Sequence, residues 1–197
     1  MTVKKKRGRP TGNKPQLNSE AILSTAKALL KERGKLPSIR GLATALEVDA
    51  MAIYHYFENK NALLEAITTS LIEEIYMPTS TLEWEAELKA LCTSYVSLLD
   101  TYPGLLETLL TMSSTSPAEV FFERFKLVTQ PLELNDEQEN QALDLLGDYL
   151  HGFALAMNCN QDKDALNIQM LDGALALYCI ALKNIHQSDY TQVTSRC

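Results

Sequence analysis

The sequence predicts an all-α protein. Apolar residues recur at intervals of three and four over most of the 197 residues, which is the spacing of a helix with one buried face. The alternation of apolar and polar residues that indicates a strand is absent from the sequence. No apolar run reaches the roughly 18 residues that a membrane-spanning helix requires. We therefore expect a cytoplasmic protein with one or two helical cores and no membrane partner.

Residues 1–16 are expected to form a flexible basic arm. They are rich in Lys, Arg, Gly and Pro and carry no helical periodicity. Arg7 and Arg9 lie in this arm, where arginine side chains can enter the minor groove of DNA. The alternative is a solvated tail that adds only nonspecific affinity, and the sequence leaves both interpretations open.

Four helical segments follow the arm. Asn18 or Ser19 can cap the first segment, and Gly34 can end it. Short breaks separate the others. The other three segments are Ser38–Leu46, Met51–Phe57 and a longer one that begins at Asn59 and stops before Pro78. We expect an N-terminal domain over residues 17–67.

Residues 68–197 predict a second, helical domain. A Tyr-Pro-Gly break at residues 102–104 and a proline at position 131 interrupt its apolar periodicity. Two long helices are expected at its end. In full, the predicted helices are Trp84–Asp100, Leu105–Met112, Pro117–Thr129, Asp136–Asn158 and Asp162–His186.

The charge of the chain is unevenly distributed. The net charge is −7, but residues 1–67 contain 12 Lys or Arg and six Asp or Glu, a net charge of +6. Residues 68–197 contain six basic and 19 acidic residues, a net charge of −13. A phosphate backbone attracts the first part and repels the second. This asymmetry is typical of a small DNA-binding domain attached to an acidic body.

Residues 38–57 have the pattern of a helix-turn-helix, in which two short helices meet across a turn of about four residues. Ala43 is small enough for a close helix approach, and Val48 can plug the turn. Ile53 and Phe57 are four residues apart, so they share the side that faces the core.

The outward side of this unit carries the candidate contacts with DNA. Arg40 and Lys60 can bind phosphates, Lys60 with the help of a helix N-terminus. The third helix can lie in the major groove, where small and aromatic side chains meet base edges and thymine methyl groups. Its candidate residues are Ala50, Met51, Ala52, Tyr54, His55 and Tyr56.

The run SIRGLATALEVDAMAIYHYFENKNALLEAI resembles the DNA-binding domain of the tetracycline-repressor (TetR) family. The matching positions are Leu42-Ala43, Leu46 with Val48, Ile53-Tyr54 with Tyr56-Phe57, and Asn59-Lys60 with Ala62-Leu63-Leu64. The resemblance implies phosphate or base contacts by Arg40, Tyr54, His55, Tyr56 and Lys60. It also implies base-facing positions at Ala50, Met51 and Ala52.

Two features depart from the family pattern. Glu47 stands where the family usually has glycine, so a non-glycine residue must adopt an unfavourable backbone angle in the turn. Ala50 and Ala52 lack the polar groups that make directional base contacts. Readout is therefore expected to depend on apolar contacts, the aromatic side chains and DNA shape.

The acidic part resembles the regulatory domain of the same family more weakly. The similar features are Trp84 at a helix start, the break at residues 102–105, and the spacing of Gly147 and Gly152. The resemblance implies a ligand site between helices and a homodimer formed through the last two helices. Aromatic and methionine side chains suit a small hydrophobic effector, although each can instead be ordinary core. The candidates are Tyr76, Trp84, Tyr95, Tyr102, Met112, Phe121, Phe122, Phe125, Tyr149 and Met157.

Apolar stripes in the last two predicted helices support the homodimer independently. Both helices are more apolar than one buried face needs, as expected of an intersubunit four-helix bundle, although burial within a monomer is the alternative. The stripes consist of Leu143, Leu146, Leu150, Phe153, Met157, Ile168, Leu171, Leu175, Tyr178, Leu182 and Ile185.

The combined features favour a ligand-responsive regulator, a repressor that binds a palindromic operator in double-stranded DNA and is released by its effector. An activator of the same fold and a nonspecific or architectural DNA-binding protein are the alternatives. An enzyme is not expected, because the sequence lacks a phosphate-binding loop, a nucleophile elbow and an HExxH pair. We also expect no cofactor and no metal, since the spacing of Asp148 and His151 alone is weak evidence for a metal site.

Overall fold

The computed structural model describes residues 17–79, 81, 83–160, 162 and 165–185. These residues form nine α-helices and two short 3-10 turns, and no strand occurs among them, which confirms the all-α prediction. The predicted arm, with Arg7 and Arg9, lies outside the described residues. The helices are α1 Ser19–Arg33, α2 Ile39–Ala45, α3 Ala50–Tyr54, α4 Lys60–Ile72, α5 Trp84–Thr101, α6 Leu105–Thr111, α7 Ser116–Thr129, α8 Asp136–Cys159 and α9 Leu171–Lys183.

Local capping interactions define the first helices. The side chain of Asn18 accepts a hydrogen bond of 2.7 Å from the backbone N–H of Ala21, which starts α1. Gly34 ends α1 in the left-handed conformation, with a φ of 66°. Ser38 caps α2 through a 3.1 Å hydrogen bond from the N–H of Gly41. The predicted ends of these helices are thus observed.

The turn between α2 and α3 contains the non-glycine residue that the sequence placed there. Glu47 has a φ of 54°, in the left-handed region. The N–H of Val48 donates to the carbonyl oxygen of Ala43 at 3.0 Å, which closes the turn. Asp49 then caps α3 by accepting a 2.8 Å hydrogen bond from the N–H of Met51.

Three predicted helices extend clearly beyond the observed ones, and one of them, the segment from Asn59 to just before Pro78, is helical only over Lys60–Ile72. The segment predicted at Met51–Phe57 is helical only to Tyr54, because the N–H groups of Tyr56 and Phe57 both donate to the carbonyl oxygen of Ile53. His55 and Tyr56 therefore lie in the turn that follows α3. The segment predicted at Asp162–His186 is also shorter in the structure. Asn167 has an extended backbone and caps a 3-10 turn that leads into α9 at Leu171.

The second half of the molecule is organised around α5. This helix packs against α7, α8 and α9, and its residues Leu88, Leu91, Val96 and Leu99 have no exposed surface. Helix α4 packs against both α1 and α7, so it belongs to the cores of both halves. It also runs through residue 67, where the sequence predicts the domain boundary. None of the described helices is both long enough and apolar enough to span a membrane.

Candidate DNA-binding surface and ligand cavity

Helix α3 and the turn after it expose four of the predicted contact residues, Met51, Tyr54, His55 and Tyr56, whereas Ala50 and Ala52 are half-buried. Met51 is 64% exposed, Tyr54 41% and Tyr56 42%, although large apolar and aromatic side chains are usually buried. Ile53, between them, is fully buried and anchors the helix to the core with Leu42. The structure therefore separates a core-facing side from an outward side of the same short segment.

The hydroxyl group of Tyr56 has a partner within the protein. It donates a 2.5 Å hydrogen bond to the carbonyl oxygen of Leu17, just before the start of α1. The turn after α3 is thereby linked to the point where the N-terminal arm joins the domain. Tyr56 thus has a structural role that the sequence did not indicate, and 42% of the residue is still exposed.

Arg40 and Lys60 flank the exposed side of α3. Both side chains are exposed; Arg40 lies in the first turn of α2 and Lys60 is the first residue of α4. Asn59 caps α4 by accepting a 2.9 Å hydrogen bond from the N–H of Ala62. Lys60 therefore stands at a helix N-terminus, where its charge and the helix dipole both favour an anion such as a phosphate.

Two polar contacts join α4 to α7. The hydroxyl group of Ser116 donates a 2.6 Å hydrogen bond to the carboxylate of Glu65, and this bond lowers the pKa of Glu65. At the other end, the guanidinium group of Arg124 donates to the carbonyl oxygens of Ile75 at 2.6 Å and Glu73 at 2.9 Å. Arg124 also donates to the carbonyl oxygen of Ile72, the last residue of α4, at 3.3 Å, so it binds the end of α4 and the turn that follows it.

A backbone contact joins α1 to the turn before α6. Gly104 has a φ of 85°, and a Cβ atom at this position would lie 2.3 Å from the carbonyl oxygen of Gly34. Only glycine permits such an approach in this conformation. Together with the α4–α7 contacts, this turn connects the helix-turn-helix to the helices that line the cavities described next.

Two adjoining cavities lie among α4, α5, α6, α7 and α8. We call the mainly apolar cavity, of about 240 Å³, the inner cavity. The cavity whose lining includes acidic residues, of about 400 Å³, is called the outer cavity. Four residues line both cavities: Tyr95, Ala118, Phe121 and His151. The inner cavity is also lined by Ile72, Leu109, Leu110, Met112, Ser114 and Pro117. The outer cavity is also lined by Leu143, Asp144, Gly147 and Asp148.

A buried polar pair lies where the cavities meet. The hydroxyl oxygen of Tyr95 is 2.8 Å from Nε2 of His151. Burial raises the pKa of the Tyr95 phenol and lowers that of His151, although the nearby charge of Asp148 partly opposes the effect on His151. Burial thus favours the uncharged form of each group, and the pair can exchange a hydrogen bond with a ligand.

The cavity contains some of the predicted ligand contacts and excludes others. Tyr95, Met112 and Phe121 line it. Phe125 and Met157 are buried in the core instead. The remaining candidates are partly buried outside both cavities: Tyr76, Trp84, Tyr102, Phe122 and Tyr149. Lys183 lies over the ring of Trp84 and Lys126 over that of Phe122, while Tyr102 borders a groove between α1 and α4.

His151 and the small residues Pro117 and Ala118 of α7 line the cavity but are not among the ligand contacts predicted from the sequence. His151 follows the fully buried Leu150 in a long apolar helix, and a histidine there could have indicated a polar group facing the interior. Pro117 and Ala118 carry no comparable signal, because only the packing of α7 brings them to the cavity. Within the described part of the chain, no three His, Cys, Asp or Glu side chains are grouped as metal ligands.

The N-terminal helices match a known family. Residues 22–67 match the model of the bacterial regulatory proteins of the tetR family. This segment contains α2, α3 and most of α1 and α4, so the similarity to that family covers the helix-turn-helix. The resemblance seen in the sequence is confirmed. No curated protein sequence matches the chain.

Solved structures extend the similarity to most of the chain. Apo ActR from Streptomyces coelicolor is 18% identical, with a TM-score of 0.71 over 85% of this chain and 95% of ActR. BioQ from Mycobacterium smegmatis is 21% identical, with a TM-score of 0.68 over 85% and 98%. A TetR variant from Acinetobacter baumannii AYE, in complex with minocycline, is 24% identical, with a TM-score of 0.61 over 86% and 94%. The protein therefore has the fold of the TetR-family regulators.

Proposed function

We propose that this protein is a transcriptional repressor that binds a palindromic operator as a homodimer and is released by a small, largely hydrophobic effector. The observation that carries the proposal is the exposure of Met51 and Tyr54 on α3 and of Tyr56 in the turn after it, around the buried Ile53. Similar folds occur in BioQ with its natural double-stranded DNA operator and in ActR with actinorhodin. The family match supports a regulator rather than an enzyme.

The opposite net charges of the two halves support binding of DNA through the N-terminal half. The basic N-terminal part is attracted to phosphates, with Arg40 and Lys60 on either side of α3. The acidic body is repelled, so it stays away from the duplex. Base contacts would come from Ala50, Met51, Ala52, Tyr54, His55 and Tyr56, and from Arg7 and Arg9 if the arm enters the minor groove.

Exposed apolar residues on α8 and α9 support the homodimer. Most residues of the predicted stripes are buried in the core of one chain. Examples are Leu146, Leu150, Leu171 and Leu175. A second set of apolar side chains on α8 and α9 is exposed to solvent. Cβ atoms added at the three glycines of these helices would also meet open space. Such a surface suits a second copy of the chain, because large apolar patches usually mark interfaces. Its exposed members are Leu145, Leu155, Leu177 and Ile180.

A dimer would place two α3 helices on successive turns of the major groove, about 34–36 Å apart. The contacts of α4 with α7 at Glu65 and Arg124 give an effector in the cavity a route to the spacing of these helices. A coupling of about 3 kcal/mol would change the affinity for DNA roughly 150-fold.

Selection of bound fragments from random DNA, followed by footprinting, tests the proposal. We expect a discrete palindromic footprint. The triple variant Tyr54→Ala, Tyr56→Ala, Lys60→Ala should lose operator binding by at least about 100-fold while remaining folded. The variant Lys31→Ala, which removes a charge from exposed α1 surface, is the matched control. Uniform coverage of DNA, or unchanged selectivity in the triple variant, would contradict the proposal.

The oligomeric state is tested separately by light scattering after gel filtration. Leu177 is 70% exposed, so Leu177→Glu is compatible with the fold of one chain but would place two charges in the dimer interface. We expect a folded monomer with weakened operator binding. The control is Leu127→Glu on α7, where the side chain is 48% exposed on a helix outside the proposed interface. A Leu177→Glu variant that stays dimeric would contradict the assignment of this face.

A further inference from the structure

The inner and outer cavities differ in character, and this difference indicates the class of effector. We propose that the effector is an amphipathic organic cation, with an apolar ring system in the inner cavity and a positive group near Asp144 and Asp148. This inference rests on the effector-binding part of the proposed function and narrows it, since the sequence indicated only a hydrophobic molecule.

The inner cavity suits the apolar part of such a molecule. Ile72, Leu109 and Pro117 contribute hydrocarbon surface, and Met112 adds an adaptable thioether. The rings of Tyr95 and Phe121 lie 4.8 Å apart at an interplanar angle of 52°. Aromatic walls of this kind pack against flat rings and also attract cations.

The outer cavity suits the positive group. Asp144 and Asp148 both line it, both are exposed, and their spacing of four residues places them on one side of α8. Two like charges one turn apart repel each other, so a cation between them is favoured. Asp148 also acts electrostatically on His151, which places its charge near the junction of the two cavities.

Nothing that lines either cavity counters these acidic groups. No lysine or arginine occurs among the described residues that line them. His151 offers no opposing charge, because burial favours its neutral form. The net charge of −13 over residues 68–197 adds an attractive field for cations and disfavours anions. The polar pair of Tyr95 and His151 can then orient the bound molecule by a hydrogen bond.

Three probes with one ring system and different charges test the inference. They are 1-naphthylmethylammonium, 1-naphthalenemethanol and 1-naphthoate, titrated calorimetrically into the full-length protein at low and high salt. We expect the cation to bind about tenfold more tightly than the alcohol, with the carboxylate weakest, and the preference to shrink with salt. An alcohol that binds as tightly as the cation, or no binding by the cation, would overturn the inference.

Charge-neutral variants locate the contact. Asp148→Asn should weaken binding of the cation about threefold to fivefold, and the double variant with Asp144→Asn about tenfold or more, while binding of the alcohol is unchanged. Glu123→Gln is the control, since it removes an exposed carboxylate of α7 outside both cavities. Equal losses for cation and alcohol, or a loss in the control as large as in Asp148→Asn, would overturn the inference.

Operator binding is measured in the same samples to separate the two proposals. Selective binding of the cation together with release of operator DNA supports both. Selective binding with unchanged operator affinity supports the ligand class and overturns effector-controlled release. Operator release by the alcohol as efficiently as by the cation supports the regulator and overturns the ligand class.

Discussion

The contact between Gly104 and Gly34 offers a quantitative test of how the two halves of the molecule meet. Both glycines have a positive φ, of 85° and 66°. An alanine in the left-handed region costs about 1–2 kcal/mol at either position. At Gly104 the new Cβ atom would also lie 2.3 Å from the carbonyl oxygen of Gly34, so the backbones must move apart. Forced repacking of this kind costs about 1–3 kcal/mol more.

Gly104→Ala should therefore destabilise the protein by about 2–5 kcal/mol. Gly34→Ala is the matched control, because its Cβ would meet Pro103 at an ordinary 3.7 Å. Only the cost of alanine in the left-handed conformation then applies. For a chain of 197 residues, 1 kcal/mol corresponds to about 2–4 °C in the melting temperature.

Calorimetry or circular dichroism at one protein concentration measures the difference, since any association between chains would make melting temperatures depend on concentration. We expect Gly104→Ala to melt several degrees below Gly34→Ala. Equal melting temperatures for the two variants would refute the close backbone contact between α1 and the turn before α6.

Three further predictions concern single side chains. Tyr56→Phe should cost about 0.5–1.5 kcal/mol in chemical unfolding, because it removes the hydrogen bond to Leu17, and should leave operator selectivity intact. Arg124→Met should cost about 1.5–3 kcal/mol in the same assay, because carbonyls at the end of α4 and in the turn after it lose a charged donor, and Arg124→Lys should recover part of the loss. His151 has a pKa held below its ordinary 6.5 by burial, so the unfolded chain binds more protons. Its contribution to stability is full above about pH 6.5 and declines as the pH falls below that value, so His151→Gln should flatten the acid side of the stability profile.

Each of these three predictions has a distinct contrary outcome. Loss of operator selectivity at unchanged stability in Tyr56→Phe would mean that the hydroxyl group contacts DNA. A stable Arg124→Met variant would mean that the carbonyls of α4 find other partners. An identical pH profile in His151→Gln would mean that the histidine is solvated.

Much of the helix-turn-helix was predictable because its signals are local. Asn18, Gly34, Ser38 and Asn59 each act on backbone groups within four residues, so capping chemistry alone indicates where helices begin and end. Glu47 was expected in a left-handed turn from the family pattern, and its φ of 54° agrees. The sequence did not predict where α3 ends. There the N–H groups of Tyr56 and Phe57 both donate to the carbonyl oxygen of Ile53, and the spacing of apolar residues does not reveal such hydrogen bonds.

The candidate site residues show the same contrast between local signals and contacts made only in the folded structure. The exposed side of α3 follows from a helical repeat around Ile53, so sequence reasoning located it. The cavity is lined by residues of five helices, and aromatic character alone did not distinguish Tyr95 and Phe121 from the buried Phe125. The apolar stripes predicted on α8 and α9 are largely buried within one chain, as with Leu146 and Leu175, whereas Leu145 and Leu177 of the same helices remain exposed, and periodicity alone did not separate the two sets.

By itself, the sequence determined the helical class, the caps, the division of charge and the resemblance of the helix-turn-helix to the tetR family, since these depend on composition and on contacts between near neighbours. Only the tertiary structure decided which apolar residues are core and which remain exposed, and that Tyr95 meets His151 across 56 positions of sequence. Such contacts arise from the way helices pack in three dimensions, where many side chains of similar hydrophobicity compete for few interior places.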